Sequence, residues 1–281
     1  MGTPGGRRIR NGRDRFGLWG TVAGNNFNDN VAMAVADGRT PMRAQRRTNE
    51  IGIMAEKTKL WYFQNFNLFK ELDAATLEYM ASVSQMASSR KREVIYFPEE
   101  SSNTIYMLKR GKIKISRISP DGQTMTLALI GPGEIFGESA ILGQTTHENI
   151  AEVVEDAMVC AIDKDEFQRL LARNDALSRT VQVWIGERMR KVESKIEDLV
   201  FKDARQRVVS FLCQYVRSFG KELVDIWEVR PFLTHQDIAE LTATSRQTVN
   251  SILNDLKGED KIDFSRQFLR VPDLAELESL S

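Results

Sequence analysis

Residues 233–253 read LTHQDIAELTATSRQTVNSIL, and their pattern of apolar and polar residues indicates the fold of the C-terminal part of the chain. Two short helices that cross steeply need a small residue where they touch, and Ala239 supplies it. Ala243-Thr244 occupies the turn between them, where Gly is common, and Ser245 is placed to cap the second helix. The packed face consists of apolar residues at helical spacing: Ile238, Leu241, Val249, Ile252 and Leu253. The pattern predicts a helix-turn-helix.

The polar residues of this stretch fit a DNA-reading surface. The N-terminal part of a second helix of this kind presents its side chains to base edges in the major groove. Arg forks onto guanine, and Gln or Asn onto adenine. We therefore expect Arg246 and Gln247 to carry most base readout. The other predicted DNA-binding residues are auxiliary (Ser245, Asn250, Ser251) or contact phosphate at the start of the first helix (Thr234, Gln236).

An ordinary pair of packed helices with solvated polar residues is the alternative to a DNA reader. The sequence that follows disfavours it. Lys261 to Phe264 and Phe268 to Val271 flank Ser265-Arg266-Gln267, which is typical of a small β-hairpin. A hairpin directly after a recognition helix is the layout of a winged helix.

Composition bounds the class of protein. The 281 residues have room for two domains, and 42% hydrophobic with 28% charged residues is ordinary for a globular protein. No apolar run approaches the roughly 20 residues that span a bilayer, so we expect no membrane association and a cytoplasmic protein. The formal net charge is zero, so any DNA affinity must come from local clustering of basic groups.

The first 53 residues differ from the rest of the chain, with nine Arg and no Lys. Their polar, aperiodic composition predicts a disordered extension. A basic arm that contacts DNA is one interpretation. We favour the other, in which translation begins at Met54, because Lys usage changes so abruptly there.

Residues 54–170 are predicted to form the first domain. Apolar residues from Trp61 to Ser84 recur at helical spacing, and Asp73 is placed to cap a helix there. From Glu93 to Ile162 short apolar or alternating runs replace them. Turn residues separate these runs at Arg110-Gly111, at 120–122 and at 131–133. Strands at this spacing without intervening helices predict an antiparallel roll or barrel.

The spacing of the apolar residues changes again over residues 171–201. Apolar residues step by four, three, four and three, as in the seam of a coiled coil: Ile185, Met189, Val192, Ile196 and Leu199. A single amphipathic helix packed on its own domain gives a similar pattern. Because recognition helices usually work in symmetric pairs, we interpret this stretch as a dimerisation helix. Residues 202–281 then form the winged helix-turn-helix.

The order of β-roll, long helix and winged helix resembles the Crp/Fnr family of bacterial transcription regulators over about residues 55–275. Gly133 to Leu142 is similar to the family's effector-pocket signature, and Thr244 to Val249 to the start of its recognition helix. The resemblance implies an α+β protein with an antiparallel roll of double-stranded β-helix type. It also implies a homodimer on a palindromic promoter site in double-stranded DNA, with RNA polymerase as a partner.

The same resemblance argues against cyclic AMP as the effector. In members that respond to cyclic nucleotides, a Gly-Glu pair meets the ribose and an Arg-Ser pair meets the cyclic phosphate. Gly137 and Glu138, followed by Ser139, match the first pair, but Asn149-Ile150 stands at the second. Asparagine lacks the charged, bidentate clamp that arginine offers phosphate. On the long helix, Val192 and Glu193 replace the hydroxyl residues that contact the base.

The sequence also lacks the residue sets that other effector-binding or catalytic sites need. Two cysteines cannot form the four-ligand set of an iron–sulfur centre, and Cys160 and Cys213 both stand in apolar runs typical of core positions. His147 could supply a cation near the pocket if protonated, although a loop histidine is usually only polar. No phosphate-binding loop or catalytic triad can be assembled, so we predict no enzyme, no metal and no cofactor, with a small-molecule effector left open. The alternatives are a cyclic-nucleotide-responsive regulator with a non-standard phosphate site, and a nucleotide-binding module that does not read DNA.

Overall fold

The computed structural model describes residues 59–281 except 65, 67, 68 and 225. The predicted extension of residues 1–53, the start proposed at Met54 and the apolar residue Leu68 lie outside the described residues. A helical segment at 59–64 leads into helix α1 (Ala74–Val83). Asp73 caps α1 as expected, because its carboxylate accepts a hydrogen bond from the Thr76 amide at 2.7 Å.

The first domain is an antiparallel β-roll, as the turn spacing predicts. Its described strands are β1 (Gln85–Ser89), β2 (Val94–Tyr96), β3 (Thr104–Ile118), β4 (Thr124–Ile130), β5 (Ile135–Phe136) and β6 (Ile150–Asp163). The sheet runs in the order β1-β6-β3-β4, with β2 added on β6 and β5 on β3. The predicted turn at 120–122 closes the β3-β4 hairpin, where the Ser119 amide donates to the Gln123 carbonyl at 2.9 Å.

Arg110-Gly111 is not the turn that the sequence suggests. Strand β3 runs straight through it, and its pairing with β6 shifts register there, which is the mark of a β-bulge. Gly111 has φ +91°, and a Cβ on it would stand 2.5 Å from the carbonyl oxygen of Asp156 on β6. A glycine followed by further apolar residues fits a turn and a bulge equally well in sequence, and only the partner strand distinguishes them.

Helices follow the roll. They are α2 (Lys164–Arg173), the long α3 (Asp175–Phe201) and α4 (Ala204–Phe219). One apolar core lies between α1, the roll, α2 and the start of α3, where Leu177, Val181 and Trp184 are buried. Beyond Trp184 the apolar residues of α3 are exposed in the single chain.

The C-terminal domain is a winged helix-turn-helix. Its elements are β7 (Lys221–Glu222), β8 (Trp227–Val229), α5 (His235–Thr242), α6 (Arg246–Gly258), β9 (Asp263–Phe264), β10 (Leu269–Val271) and α7 (Leu274–Glu278). The predicted hairpin is β9-β10, and it joins β8 and β7 in one antiparallel sheet of order β7-β8-β10-β9. A second core packs α4, α5 and α6 against this sheet.

Candidate DNA interface and effector pocket

The helix-turn-helix forms at the residues that the sequence indicates. Thr234 caps α5 and Ser245 caps α6, where its hydroxyl accepts from the Thr248 amide at 3.0 Å. Ala243 lies in the left-handed region at φ 50°, ψ 49°, so the alanine does adopt the conformation for which glycine is usual. Ile238 and Val249 are fully buried between the helices. The predicted packed face is therefore the real one.

Arg207 holds the turn in place, a role that the sequence did not indicate. Its Nε donates to the Thr242 carbonyl at 2.9 Å and its Nη2 to the Ala243 carbonyl at 3.3 Å, at the end of α5. Its Nη1 donates to the Lys202 carbonyl at 2.8 Å. Because the last carbonyls of a helix have no partner within it, this arginine caps α5 from α4. An isolated arginine on a helix gives no signal of such a role in sequence.

The start of α6 presents a polar, exposed surface. Arg246, Gln247 and Ser251 are exposed, and so is Asn250, whose backbone carbonyl accepts from the side chain of Asn254. Ser245 is exposed too, although its hydroxyl is occupied as the cap. The structure thus brings the predicted residues to the N-terminal half of α6, where Arg246, Gln247 and Ser251 expose their side chains, while the side chain of Asn250 hydrogen-bonds His235.

The two residues at the start of α5 that are predicted to contact phosphate, Thr234 and Gln236, already form hydrogen bonds within the protein. The Thr234 hydroxyl accepts from the Asp237 amide, and the Thr234 amide donates to the Asp237 carboxylate, which forms a capping box. The hydroxyl also donates to this carboxylate. Gln236 is exposed, and its amide donates to Glu240 at 3.1 Å. Thr234 therefore has a structural role in addition to the predicted one.

His235 and Arg266 extend this surface beyond the predicted residues. Burial lowers the pKa of His235, and the charge of Arg246 beside it lowers the pKa further. The imidazole also meets the ring of Phe264 on the wing edge-on, with centroids 5.8 Å apart. Arg266 is exposed in the turn between β9 and β10. The sequence could have indicated this role, because Arg266 is a basic residue in the predicted turn of the hairpin that follows the recognition helix.

The effector-signature residues lie where the roll faces the long helix. Gly137 has φ +81°, and a Cβ there would come within 2.9 Å of both the Thr104 carbonyl oxygen and the Tyr106 ring. The glycine of the signature is thus required by the backbone. Glu138 accepts from the guanidinium of Arg188 on α3 at 3.1 Å, and Ser139 is half-buried next to it. Glu138 therefore ties the roll to the long helix.

Asn149, at the predicted phosphate position, is already bound within the roll. Its Oδ1 accepts from Nε of Arg117 at 3.1 Å, and Arg117 also pairs with Glu148. Ile150 begins β6. Arg117 was not among the predicted residues, and it brings a cation next to this position, but a carboxylate compensates its charge.

His147 does not supply a cation. It is 3% exposed, and its ring stacks on Tyr96 with centroids 3.8 Å apart. Burial lowers its pKa to about 4, although Glu138 acts in the opposite direction. The imidazole is therefore neutral at pH 7, and it extends a cluster of aromatic rings formed with Tyr106 and Phe136.

Both cysteines are buried, as their apolar runs suggest. Burial raises the pKa of each thiol, that of Cys213 to about 11, so neither is a reactive thiolate at neutral pH. In the described part of the chain no group of three or more His, Cys, Asp and Glu is arranged to hold a metal ion. None of the helices formed by the described residues is long and apolar enough to cross a membrane.

Comparison with known families and proteins agrees with this geometry. The model of the cyclic nucleotide-binding domain matches residues 87–174, and that of the Crp-like helix-turn-helix domain matches residues 206–280. The anaerobic regulatory protein of Bacillus subtilis is 29% identical over 195 residues, which are 68% of this chain and 82% of that protein. The cyclic AMP receptor protein of Thermus thermophilus is 27% identical over 214 residues, 76% of this chain and 96% of that protein.

Among solved structures, FixK2 from Bradyrhizobium japonicum has the same fold. It superimposes with a TM-score of 0.64 at 22% identity, covering 71% of this chain and 98% of that one. The likeness extends over the roll, the long helix and the winged domain together.

Proposed function

The chain belongs to the Crp/Fnr family of transcription regulators, and we propose that it works as a homodimer that reads a palindromic promoter site independently of cyclic AMP. We divide it into an effector domain over 54–170, a dimerisation segment over 171–201 that contains α3, and a DNA-binding domain over 202–281. The family consists of DNA-binding regulators and not of enzymes.

The observation that carries the DNA-reading part is the exposed polar start of α6. Arg246 and Gln247 stand one and two residues after the cap Ser245, where side chains of a recognition helix reach base edges. We assign them the main base contacts. Asn250 and Ser251 add to them, and Thr234, Gln236 and Arg266 contact the backbone phosphates.

The homodimer is supported by an apolar stripe on α3. Its members are 36–64% exposed in the single chain: Ile185, Met189, Val192, Ile196 and Leu199. An exposed stripe with heptad spacing on a 27-residue helix is the seam of a two-stranded coiled coil. A symmetric dimer places two α6 helices to read two half-sites about one turn of DNA apart, roughly 34 Å.

Independence from cyclic AMP is supported by the charges around the pocket. Asn149 replaces the arginine expected at the phosphate, and the two neighbouring cations, Arg117 and Arg188, are each paired with a carboxylate. A cyclic phosphate would have to displace Glu148 or Glu138 to gain a cation. Burying phosphate without one is unfavourable.

Two further parts of the proposal follow from family membership. A regulator of this kind acts in the bacterial cytoplasm, where the chromosome is, and contacts RNA polymerase at the promoter. A small-molecule effector other than cyclic AMP is compatible with the roll.

Selection from a random duplex library by the purified full chain, without added nucleotide, tests the proposal. We expect a palindromic motif with two half-sites about one turn apart. Arg246→Ala should lose the motif, while Asn254→Ala, an exposed change two turns further along α6, should keep it. Enrichment of a single half-site would contradict the dimer, and no enrichment would contradict sequence-specific reading without nucleotide.

A further inference from the structure

A cleft of about 690 Å³ lies between the long helix α3, strand β4, helix α4 and the end of α5. Its volume is within the range of small-ligand sites, about 300–1,000 Å³. Six basic side chains line it (Arg188, Arg190, Lys191, Lys195, Arg207, Arg217) against three acidic ones (Glu134, Glu187, Asp198). The cleft is therefore positively charged in a chain whose formal net charge is zero.

Several of these charges are already compensated. Lys191 pairs with Glu134 at 2.8 Å, and Arg217 pairs with Glu278. Asp198 pairs with Lys202 at 3.0 Å, so it does not compensate a cation of the cleft. The basic groups left over decide what the cleft can bind.

Lys195 is the first of these groups. Its ammonium donates to the backbone carbonyl of Thr126, and no carboxylate in the described part of the chain pairs with it. An ammonium has three donors, so the bond to Thr126 leaves two for a ligand. Burial without a counter-charge lowers its pKa to about 8. A bound anion would supply the missing charge.

Arg207 is the second group, and it reaches the cleft from α4. Three of its five N–H donors hold the carbonyls of Lys202, Thr242 and Ala243. These acceptors are neutral carbonyl oxygens, so they do not compensate the positive charge of the guanidinium. In the described residues no carboxylate is paired with it, and two donors remain for an anion.

The remainder of the wall is apolar and aromatic. Leu127 and Leu129 of β4 line the cleft on one side, and Phe211, Tyr215 and Phe219 of α4 line it on another. The two centroid distances between neighbouring rings of α4 are 5.7 and 5.2 Å. Aromatic walls next to unpaired cations suit a ligand with a planar ring and a phosphate group.

The cleft is distinct from the effector pocket and from most of the dimer seam, although Arg188 of the cleft pairs with Glu138 of the pocket. None of the five predicted pocket residues, 137–139, 149 and 150, is among the described residues that line it. On α3 its cations Arg188, Lys191 and Lys195 stand at i, i+3 and i+7, along a flank of their own. Only Leu199 is shared with the seam, so a partner helix would border the cleft without filling it.

We propose that this cleft binds a nucleotide carrying a di- or triphosphate, with the phosphates between Lys195 and Arg207 and the base against the aromatic wall of α4. This site goes beyond the proposed function, and it holds whether or not the protein depends on cyclic AMP. An occupant would touch the roll side through Lys195 and the helix-turn-helix side through Arg207.

Titration calorimetry of the purified full chain with ADP tests the site, with adenosine as the ligand without phosphate. We expect one ADP per chain and no measurable binding of adenosine. Lys195→Gln should weaken ADP binding by about tenfold or more, since one charge-assisted hydrogen bond is lost. Arg179→Gln is the matched control, because it removes an exposed cation from the same helix outside the cleft, and it should bind as the unmodified protein does.

The proposal is overturned by the absence of ADP binding at millimolar concentration, by equal binding of ADP and adenosine, or by equal ADP affinity in Lys195→Gln and the unmodified chain. Circular dichroism of each variant should match that of the unmodified chain, and a Lys195→Arg variant, which keeps the charge, should retain most of the ADP affinity. Loss of binding in both Lys195 variants would show a packing role for Lys195 and would also overturn the assignment.

Discussion

Glu240, on the first helix of the helix-turn-helix, accepts a hydrogen bond from the ammonium of Lys114 in the roll at 2.9 Å. Asp237 on the same helix lies 3.2 Å from this ammonium, and Glu152 of the roll lies 3.6 Å from it. The hydroxyl of Thr126 donates to Glu240 as well, at 3.3 Å. One largely buried lysine of the roll thus joins the DNA-binding domain through two carboxylates, Asp237 and Glu240, while Glu152 is a third carboxylate on the roll itself.

Replacing Lys114 with Met should loosen helix α5 from the roll. The three carboxylates would be left close together without a cation, which is unfavourable for partly buried groups. We expect the amides of residues 235–242 to exchange with solvent about tenfold faster or more in hydrogen-exchange mass spectrometry. Arg117→Gln is the control, because its pair with Glu148 is half-exposed and such pairs contribute about 0–1 kcal/mol. Unchanged exchange in Lys114→Met would show that the contact does not hold the domains together.

Arg246→Ala should reduce specific more than non-specific DNA binding. Loss of a bidentate contact to guanine costs about 1–3 kcal/mol on the cognate site, and a base contact adds little on random sequence. Fluorescence anisotropy on the selected site and on a scrambled duplex measures both, with Asn254→Ala as the control. An equal loss on the two duplexes would mean that Arg246 contacts phosphate only.

Met189→Glu should dissociate the proposed dimer. Met189 is 64% exposed in the single chain and sits in the middle of the apolar stripe, so the change places two like charges against each other in a parallel seam. Sedimentation velocity should show a dimer for the unmodified chain and mainly a monomer for the variant. Glu197→Gln, on another face of α3, should remain dimeric. A Met189→Glu variant that is still fully dimeric would place the interface elsewhere.

Lys109→Met should stabilise the roll at neutral pH. Lys109 is 8% exposed, its ammonium has no hydrogen-bond partner in the described structure, and it lies 4.1 and 4.4 Å from the ring centroids of Phe63 and Phe66. Burial lowers its pKa to about 8 from the ordinary value of 10.5. The folded state therefore disfavours the charged ammonium. The cation–π contacts contribute about 1–2 kcal/mol, which offsets only part of the cost of burying the charge.

The sign of the pH dependence follows from that lowered pKa. Between about pH 8 and 10.5 the unfolded chain holds a proton that the folded chain does not, so Lys109 makes the free energy of unfolding rise with pH in this window. Below pH 8 the destabilisation is constant. Lys109→Met should be more stable than the unmodified chain by about 1–2 kcal/mol at pH 7, with the gap narrowing by pH 10. Urea denaturation at both pH values measures it; a variant less stable at pH 7 would mean that the aromatic contacts outweigh the burial cost.

The sequence predicted those parts of the fold that depend on local patterns. The caps at Asp73 and Ser245 and the wing hairpin all formed where spacing and residue type placed them. Arg110-Gly111 was predicted wrongly as a turn, because the bulge at Gly111 depends on Asp156 across the sheet, 45 residues further along the chain. Local reasoning has no access to such a partner.

In the candidate sites, too, the sequence predicted the features that depend on local patterns and not those that depend on distant partners. The exposed residues at the start of α6 follow from the cap and the helical period. His147, in contrast, is polar and stands among polar residues in sequence, yet it is buried against Tyr96, 51 positions earlier. Arg207, Lys114 and Lys195 are ordinary basic residues in sequence, and their roles come only from acceptors brought to them by the folded chain.

Genome-wide capture of DNA by the purified protein, with and without cyclic AMP and at two salt concentrations, tests whether the protein reads its site independently of cyclic AMP. We predict that one palindromic motif is recovered equally with and without the nucleotide, and that non-specific capture falls more steeply with salt than capture of the motif. Recovery of the motif only in the presence of cyclic AMP would contradict the account, because it would show that the phosphate is bound despite Asn149 and the paired charges of Arg117 and Arg188.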